Sequence, residues 1–241
     1  MVERDEDLAC PRCEAVRARV CLRCGGSKLR VVRAGVTRLR DDLAALLPRA
    51  TVVEIDASSG DVPPDADVLV GTEAVLHRVR RASTRPVGVV AYLEFDQELL
   101  ALRYRAAEQA MWLLVRGARA LAAAGWLLVQ TRMPEHEVLR AVLARDPLVA
   151  LNPELERRRA SQFPPFGGLA ELTGVAEAVA TAAGALEELG VVALGPSPWR
   201  SGARALAIAE TPEQLADALA VAGPTGRRHG RLRVEVDPLR V

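Results

Sequence analysis

What most constrains this chain is an alternation of short apolar runs with helically spaced segments, kept up to residue 145 and then lost. Apolar runs at 29–36, 51–56, 67–71, 86–93 and 126–131 have the length and composition of strands. Segments 37–47, 72–81, 103–123 and 134–145 carry helical spacing, with Thr37 expected as the first cap and Pro134 in the last helix's first turn. A polar stretch, 57–65, follows the second strand. Strands alternating with helices imply βαβ units and a mostly parallel sheet. Prolines at 147, 153, 164 and 165 break the rhythm across 147–166. Beyond it come a strand at 169–173, a helix at 176–189, strands at 191–194 and 204–209, a helix at 212–221 and a strand at 231–236. That order, β-α-β-β-α-β, is the ferredoxin-like split pattern. The fold class expected is α/β, in three parts: a cysteine segment over 1–28, a parallel-sheet domain over 29–160 and a ferredoxin-like α+β domain over 161–241. Half of the 241 residues are hydrophobic, enough to give each larger part a core.

Two C-x-x-C knuckles, Cys10-Pro11-Arg12-Cys13 and Cys21-Leu22-Arg23-Cys24, lie seven residues apart. Thiolates at this spacing grip one face of a tetrahedral zinc ion, and the glycines after Cys24 permit the turn that brings amides to sulfur. Cys10, Cys13, Cys21 and Cys24 are therefore the expected zinc ligands. A redox dithiol is the alternative, but it should end a strand and open a helix, whereas these knuckles sit in a basic, loop-like leader. The short gap leaves open whether both knuckles share one ion. Four cysteines, an acidic and polar start, and no apolar stretch of membrane-spanning length point to a cytosolic chain without a secretory signal or membrane anchor.

The formal net charge is +1, yet charge is unevenly placed. Between residues 8 and 40 stand Arg12, Arg17, Arg19, Arg23, Lys28, Arg30, Arg33, Arg38 and Arg40, against Glu14 alone. Such asymmetry suits phosphate contact, the alternative being a solvated surface. Arg12, Arg23, Lys28 and Arg30 are candidate DNA contacts, as are Arg78, Arg80 and Arg81 beside His77. Lys28 is the only lysine and its surroundings, Gly25-Gly26-Ser27-Lys28-Leu29, exclude a Walker A loop. Glu94 and Asp96 have no histidine near them in sequence and read as a strand end and helix cap instead of an acid–base pair. Glu108 reads as a solvated or ion-paired surface residue and His136 as a helix-start residue. Arg157-Arg158-Arg159 and Arg227-Arg228-His229-Gly230-Arg231 read as water-facing charge runs. The three tryptophans and Tyr104 are scattered and make no base-stacking array.

An ordered series of motifs adds to this reading: Val70-Gly71-Thr72-Glu73, Leu93-Glu94-Phe95-Asp96, Tyr104-Arg105-Ala106-Ala107-Glu108, Gln130-Thr131-Arg132-Met133-Pro134-Glu135-His136, Phe163-Pro164-Pro165-Phe166, Leu194-Gly195-Pro196 and Val234-Glu235-Val236-Asp237-Pro238. In kind, order and spacing the series resembles the second helicase lobe and C-terminal domain of the primosomal replication-restart helicase family, PriA. The two cysteine knuckles resemble the last two of the four that precede this lobe in the family. The resemblance implies a RecA-like lobe, zinc, forked or branched DNA, primosome partners and a cytoplasmic, nucleoid-associated place.

The departures change what the resemblance implies about activity. Active members carry Lys-Gly-x-x-Phe where this chain has Val75-Leu76-His77-Arg78-Val79. Their arginine-finger segment falls on Arg116-Gly117-Ala118-Arg119-Ala120-Leu121-Ala122-Ala123, where the paired glycines and arginines are not in register. The first lobe, with its phosphate-binding lysine, is not in these 241 residues. The expected function is DNA binding in replication restart without intrinsic ATP hydrolysis. The alternatives are a helicase portion completed by a first lobe and a zinc-ribbon interaction module. In the family, knuckles are interleaved across two zinc ions, which would place Cys10–Cys13 and Cys21–Cys24 on different ions. Either the two have regrouped around one ion or the chain lacks its beginning.

Overall fold

The computed structural model describes residues 2–4, 7–9, 15–27, 35–56, 59, 62–82 and 86–239, with the backbone alone at 2–4 and 80–82. It divides into two compact units, Met1–Arg85 and Pro86–Val241. The division falls inside the stretch that the sequence reads as one parallel-sheet domain. Each unit is a mixture of helix and sheet, with parallel ladders in both.

The first unit opens with an antiparallel sheet of three short strands, β1 (Val2–Arg4), β2 (Asp7–Ala9) and β3 (Val16–Ala18), in that order. The expected loop-like leader thus contains strands, each too short to reveal a period of two. The strand expected at 29–36 lies almost wholly outside the described residues. Helix α1 (Val36–Leu46) follows, with Gly35 as an extended N-cap that offers no side-chain bond. Thr37 is not the cap expected of it: it lies within the first turn, and its hydroxyl donates to Glu54 at 3.1 Å. Strand β4 (Val52–Ile55) pairs in parallel with β5 (Val68–Gly71), Val52 opposite Val68 and Ile55 opposite Gly71. A Cβ on Gly71 would fall 2.0 Å from the Ile55 carbonyl oxygen, so the strand end tolerates only glycine. Helix α2 (Ala74–Ala82) completes the unit.

The second unit begins with β6 (Val87–Tyr92), crosses over through α3 (Asp96–Leu99) and α4 (Ala106–Ala118), and returns in parallel as β7 (Leu121–Val129). The helix expected over 103–123 is shorter at both ends. Leu121, Ala122 and Ala123 are good helix formers, but pairing with β6 overrides that propensity. Helix α4 buries Ala110, Leu113, Leu114 and Gly117. At Gly117 a Cβ would meet the Tyr92 hydroxyl at 2.5 Å, and that hydroxyl donates to the Leu113 carbonyl. Helix α5 (Glu137–Ala144) starts at His136, whose Nδ1 accepts from Val138 N at 3.3 Å, the helix-start role expected of it. The proline-broken stretch conceals helix α6 (Leu148–Ala160), entered at Pro147 and carrying Pro153 inside it. An internal proline deletes a backbone bond and normally costs about 3 kcal/mol, so other contacts must hold this helix.

The rest of the unit is β8 (Gly168–Gly174), α7 (Ala176–Glu188), β9 (Val192–Trp199), β10 (Gly202–Ala209), α8 (Pro212–Arg227) and β11 (Leu232–Val236). The sheet order is β11-β8-β10-β9, antiparallel throughout. Both helices lie on one face. Ala203, Ala205, Ala207 and Ala209 alternate inward along β10 and meet Ala178, Val179, Ala182 and Leu186 of α7, with Leu215, Ala218 and Ala222 of α8. The small side chains let α7 and α8 approach closely. A Cβ on Gly226 would meet the Ala178 carbonyl oxygen at 2.7 Å.

Candidate functional site

The cysteine segment is described only in its second half. Cys10, Arg12, Cys13, Lys28 and Arg30 lie outside the described residues. Cys21 and Cys24 flank a turn after β3 that is closed by two bonds: Gly25 N donates to the Cys21 carbonyl at 2.8 Å, and Cys21 N to that of Gly26 at 2.9 Å. Gly25 takes φ +70°, the left-handed conformation that the knuckle reading requires of it. Both thiols are free, Cys21 half-buried and Cys24 exposed. The backbone N–H groups of Arg23 and Cys24 hold the Cys21 thiol below its ordinary value, and the Cys24 side chain and Arg17 act in the same direction. A sulfur facing amides in this way is poised as a thiolate donor. The half-knuckle therefore fits a zinc ligand pair. Among the described residues no group of three or more His, Cys, Asp or Glu is assembled for a metal.

Of the candidate phosphate contacts, Arg23 and Arg78 have described side chains. Arg23 sits exposed in the knuckle turn, and Arg78 is half-buried on α2. Arg80 and Arg81 belong to the same helix, their side chains outside the description. His77 is 3.5 Å from Glu73, one helical turn back.

In the second unit the motif residues converge. Two of the motifs meet at the C-terminal ends of β6 and β7. Asp96 does not cap α3, whose N-cap is Phe95 without a side-chain bond; its carboxylate accepts from the Thr131 hydroxyl and from Arg132 N at 3.1 Å. The Thr131 bond leads in holding Asp96 below the usual carboxylate range. Glu94, at φ +50°, accepts from Gln97 Nε2 at 2.7 Å. Phe95 N donates to the Gln130 carbonyl at 3.0 Å, and Gln130 N to that of Tyr92 at 2.8 Å. These bonds clamp the two strand ends together.

The larger convergence is an arginine–carboxylate junction at the start of α4. Arg105, the α4 N-cap, binds Glu108 at 3.0 and 3.2 Å, donates from Nε to the Tyr104 hydroxyl at 2.7 Å, and pairs with Asp237 just past β11. The Tyr104 hydroxyl also bonds to Asp237 and lies 3.1 Å from the Pro238 carbonyl oxygen. Its ring stacks on Phe163, centroids 5.3 Å apart. Arg158, only 9% exposed, donates to Glu154 and to Glu108, each at 2.9 Å, and lies 5.4 Å from the Tyr104 ring centroid. Arg157 joins Glu154 at 2.8 Å and also pairs with Glu137 of α5. Of the run read as water-facing, Arg157 and Arg159 are exposed as expected and Arg158 alone turns inward, and Glu108 takes the ion-paired form of its reading. The available signal was the spacing of Glu154, Arg157 and Arg158, which puts three charges on one helical face.

Electrostatics follow the geometry. Burial pushes the Tyr104 phenol up to about 12, and the Asp237 carboxylate adds to the effect. Burial opposes charge at Asp237, but Arg105 and Tyr104 outweigh it and keep that carboxylate low. Arg158 is pulled down by burial yet held higher by Glu108 and Glu154. A cavity of about 440 Å³ opens beside the junction, with Arg103, Tyr104, His136 and Phe163 among its lining. Arg103 is bound to Glu98 at 2.8 Å and His136 to the α5 terminus, so the charges around the cavity are committed to one another. That arrangement positions elements. In the arginine-finger stretch, Arg116 lies 4.9 Å from the Trp112 ring centroid and Gly117 packs under Tyr92.

No family model matches the chain. It is similar to the replication restart proteins PriA of Thermotoga maritima (26% identical over 181 residues, 68% of this chain), Bacillus subtilis (27% over 184 residues, 70%) and Haemophilus influenzae (27% over 176 residues, 66%). The shares of those proteins covered are 24, 22 and 24%, so the chain spans about a quarter of the length of the curated relatives it matches. The similarity is consistent with a C-terminal portion of PriA.

Proposed function

We propose that this chain binds forked or branched DNA in replication restart, within or beside the primosome, and does not itself hydrolyse ATP. Similarity to PriA across about 70% of the chain carries the reading. The convergence of the Tyr104–Glu108, Phe163 and Asp237 motif segments on one junction supports it. In this reading Cys10, Cys13, Cys21 and Cys24 hold zinc, which would stiffen a basic platform for DNA or partner proteins. Arg12, Arg23, Lys28, Arg30, Arg78, Arg80 and Arg81 meet phosphates. The commitment of Arg116 to Trp112 and of Gly117 to Tyr92 favours a lobe without a working arginine finger.

The three-part division at 28/29 and 160/161 belongs to the same proposal. For the last part, the strand order β11-β8-β10-β9 with both helices on one face supports the ferredoxin-like reading. A cytoplasmic place is in keeping with a replication role; no helix among the described residues is long and apolar enough to cross a membrane. The quarter-length coverage favours a second reading, a helicase portion that works only with a first lobe supplied separately.

Anisotropy titrations of purified protein with fork, duplex and single-stranded DNA across a salt series test the proposal. Binding should weaken steeply as salt rises, because phosphate contacts release counterions. Salt-independent binding, or none, would exclude it. DNA-stimulated ATP turnover of about 1 per second or faster by the isolated chain would overturn the non-hydrolytic reading.

A further inference from the structure

The sheet face turned away from α7 and α8 carries an aromatic and cationic corner that the proposal above leaves unused. Register sets its composition: Leu206 lies between Glu171 and Leu194, and Ile208 between Leu169 and Val192, all on the side opposite the alanine core. The inner part of this face is closed, since Leu169 is buried. Its outer part is open, with Val192 and Leu194 exposed on edge strand β9. Where β9 meets β10, a two-residue turn, Arg200-Ser201, follows Trp199. Trp199 stays 43% exposed, with the Arg204 guanidinium 4.9 Å and that of Arg200 5.9 Å from its ring centroid. Arg204 is anchored by an ion pair to Glu171. Arg200 is exposed, has no carboxylate partner among the described residues, and holds φ +51°. Turns of this length usually fill such a position with glycine or asparagine, so the backbone strain points to a use for the side chain.

We propose that this corner is a stacking platform for one unpaired base of single-stranded DNA. Trp199 takes the base on its exposed surface, Arg200 neutralises an adjacent phosphate, and Arg204, fixed by Glu171, steadies the indole. This rests on the DNA-binding reading and assigns the part of a fork that the corner takes, its single-stranded arm. Stacking on an aromatic platform accepts any base, but a duplex keeps its bases stacked on each other and has none to offer. A single tryptophan takes a single base, in agreement with the lack of an aromatic array along the chain. A peptide adding as a strand at β9 is disfavoured, because Pro196 and Pro198 have no N–H to give.

Anisotropy with a fork bearing a single-stranded arm, a single-stranded oligonucleotide and a blunt duplex tests the platform. Trp199→Ala should weaken single-strand binding about tenfold while leaving duplex binding within about twofold. Trp199→Phe should retain most of the single-strand affinity, and Arg200→Gly should reduce the salt slope by about one phosphate. A thermal melt of Trp199→Ala that matches wild type separates loss of stacking from loss of fold. Unchanged single-strand affinity in Trp199→Ala, or equal loss on duplex, overturns the platform alone. Failure of the wild-type chain to bind any DNA overturns the DNA-binding reading and the platform with it. Capture of an acidic peptide that Trp199→Ala abolishes, with single-strand binding intact, assigns the corner to protein recognition and also overturns the platform.

Discussion

Arg158 donates to Glu108 at 2.9 Å across fifty residues of sequence, joining the inner face of α6 to the first turn of α4. Both Arg158 and its second partner, Glu154, are more than nine-tenths buried. Removing Arg158 takes from buried Glu154 one of its two arginines and empties the space under Tyr104, while Arg157 still holds Glu154 and Arg105 still holds Glu108. Arg158→Ala should therefore destabilise the protein by about 2–3 kcal/mol in urea unfolding, more than a surface pair contributes and less than an uncompensated buried charge costs. A loss under about 1 kcal/mol would show the network to be ornamental. A double-mutant cycle with Glu108→Gln isolates the pair, and a coupling energy indistinguishable from zero would remove Glu108 from the argument.

Gly117 offers a test in which two ordinary rules oppose each other. In a helix interior, alanine is favoured over glycine by about 1 kcal/mol. Here the added Cβ would lie 2.5 Å from the Tyr92 hydroxyl and 3.0 Å from ring carbon Cε2. Overpacking typically costs about 1–3 kcal/mol, so Gly117→Ala should come out destabilised by thermal melt. Adding Tyr92→Phe removes the closest atom and should recover part of the loss. A stabilised Gly117→Ala would mean that the α4–β6 packing is looser than these distances require.

Two of these features differ in how far the sequence reveals them, and the difference is physical. Along β10 the pattern Gly-Ala-Arg-Ala-Leu-Ala-Ile-Ala puts a small apolar residue at every second place, so its buried face is legible from period two alone. The Gly25 turn of the knuckle is legible for the same local reason. Helix α6 is hidden by Pro153, because its stability comes from Glu154, Arg157 and Arg158 finding partners elsewhere. The start of β7 is hidden by its alanines, since only β6 makes Leu121–Ala123 a strand. Nor does anything near Arg105 announce Asp237, 132 residues on; only the completed fold brings the two together.

The metal expectation is directly measurable. Purified protein should hold zinc by elemental analysis, and Cys21→Ser or Cys24→Ser should lower its content, since tetrahedral sites with a missing thiolate bind weakly. Full zinc retention with all four cysteines changed to serine would rule the segment out as a metal site. One zinc per chain would favour both knuckles sharing an ion; a fractional content that rises on adding a cysteine-bearing upstream segment would favour shared sites.

Tyr104 ties the junction to alkaline pH. Its phenol is raised from the ordinary value near 10 to about 12, by burial first and by Asp237 second. A raised folded value means the native state keeps a proton that the unfolded chain gives up earlier. The associated stability is complete below about pH 10 and is lost as pH rises from there through 12. Melting temperature should accordingly fall across pH 10–12, and Tyr104→Phe, which cannot ionise, should flatten that part of the profile. Asp237 supplies the opposite limb: its lowered carboxylate contributes above the ordinary value near 4, and that contribution disappears as pH falls below it. Asp237→Asn should flatten the acid limb and leave Arg105 without its anionic partner, lowering stability at neutral pH as well. An unaltered alkaline slope in Tyr104→Phe would mean that another group governs the descent and that the phenol is not held as the junction geometry requires.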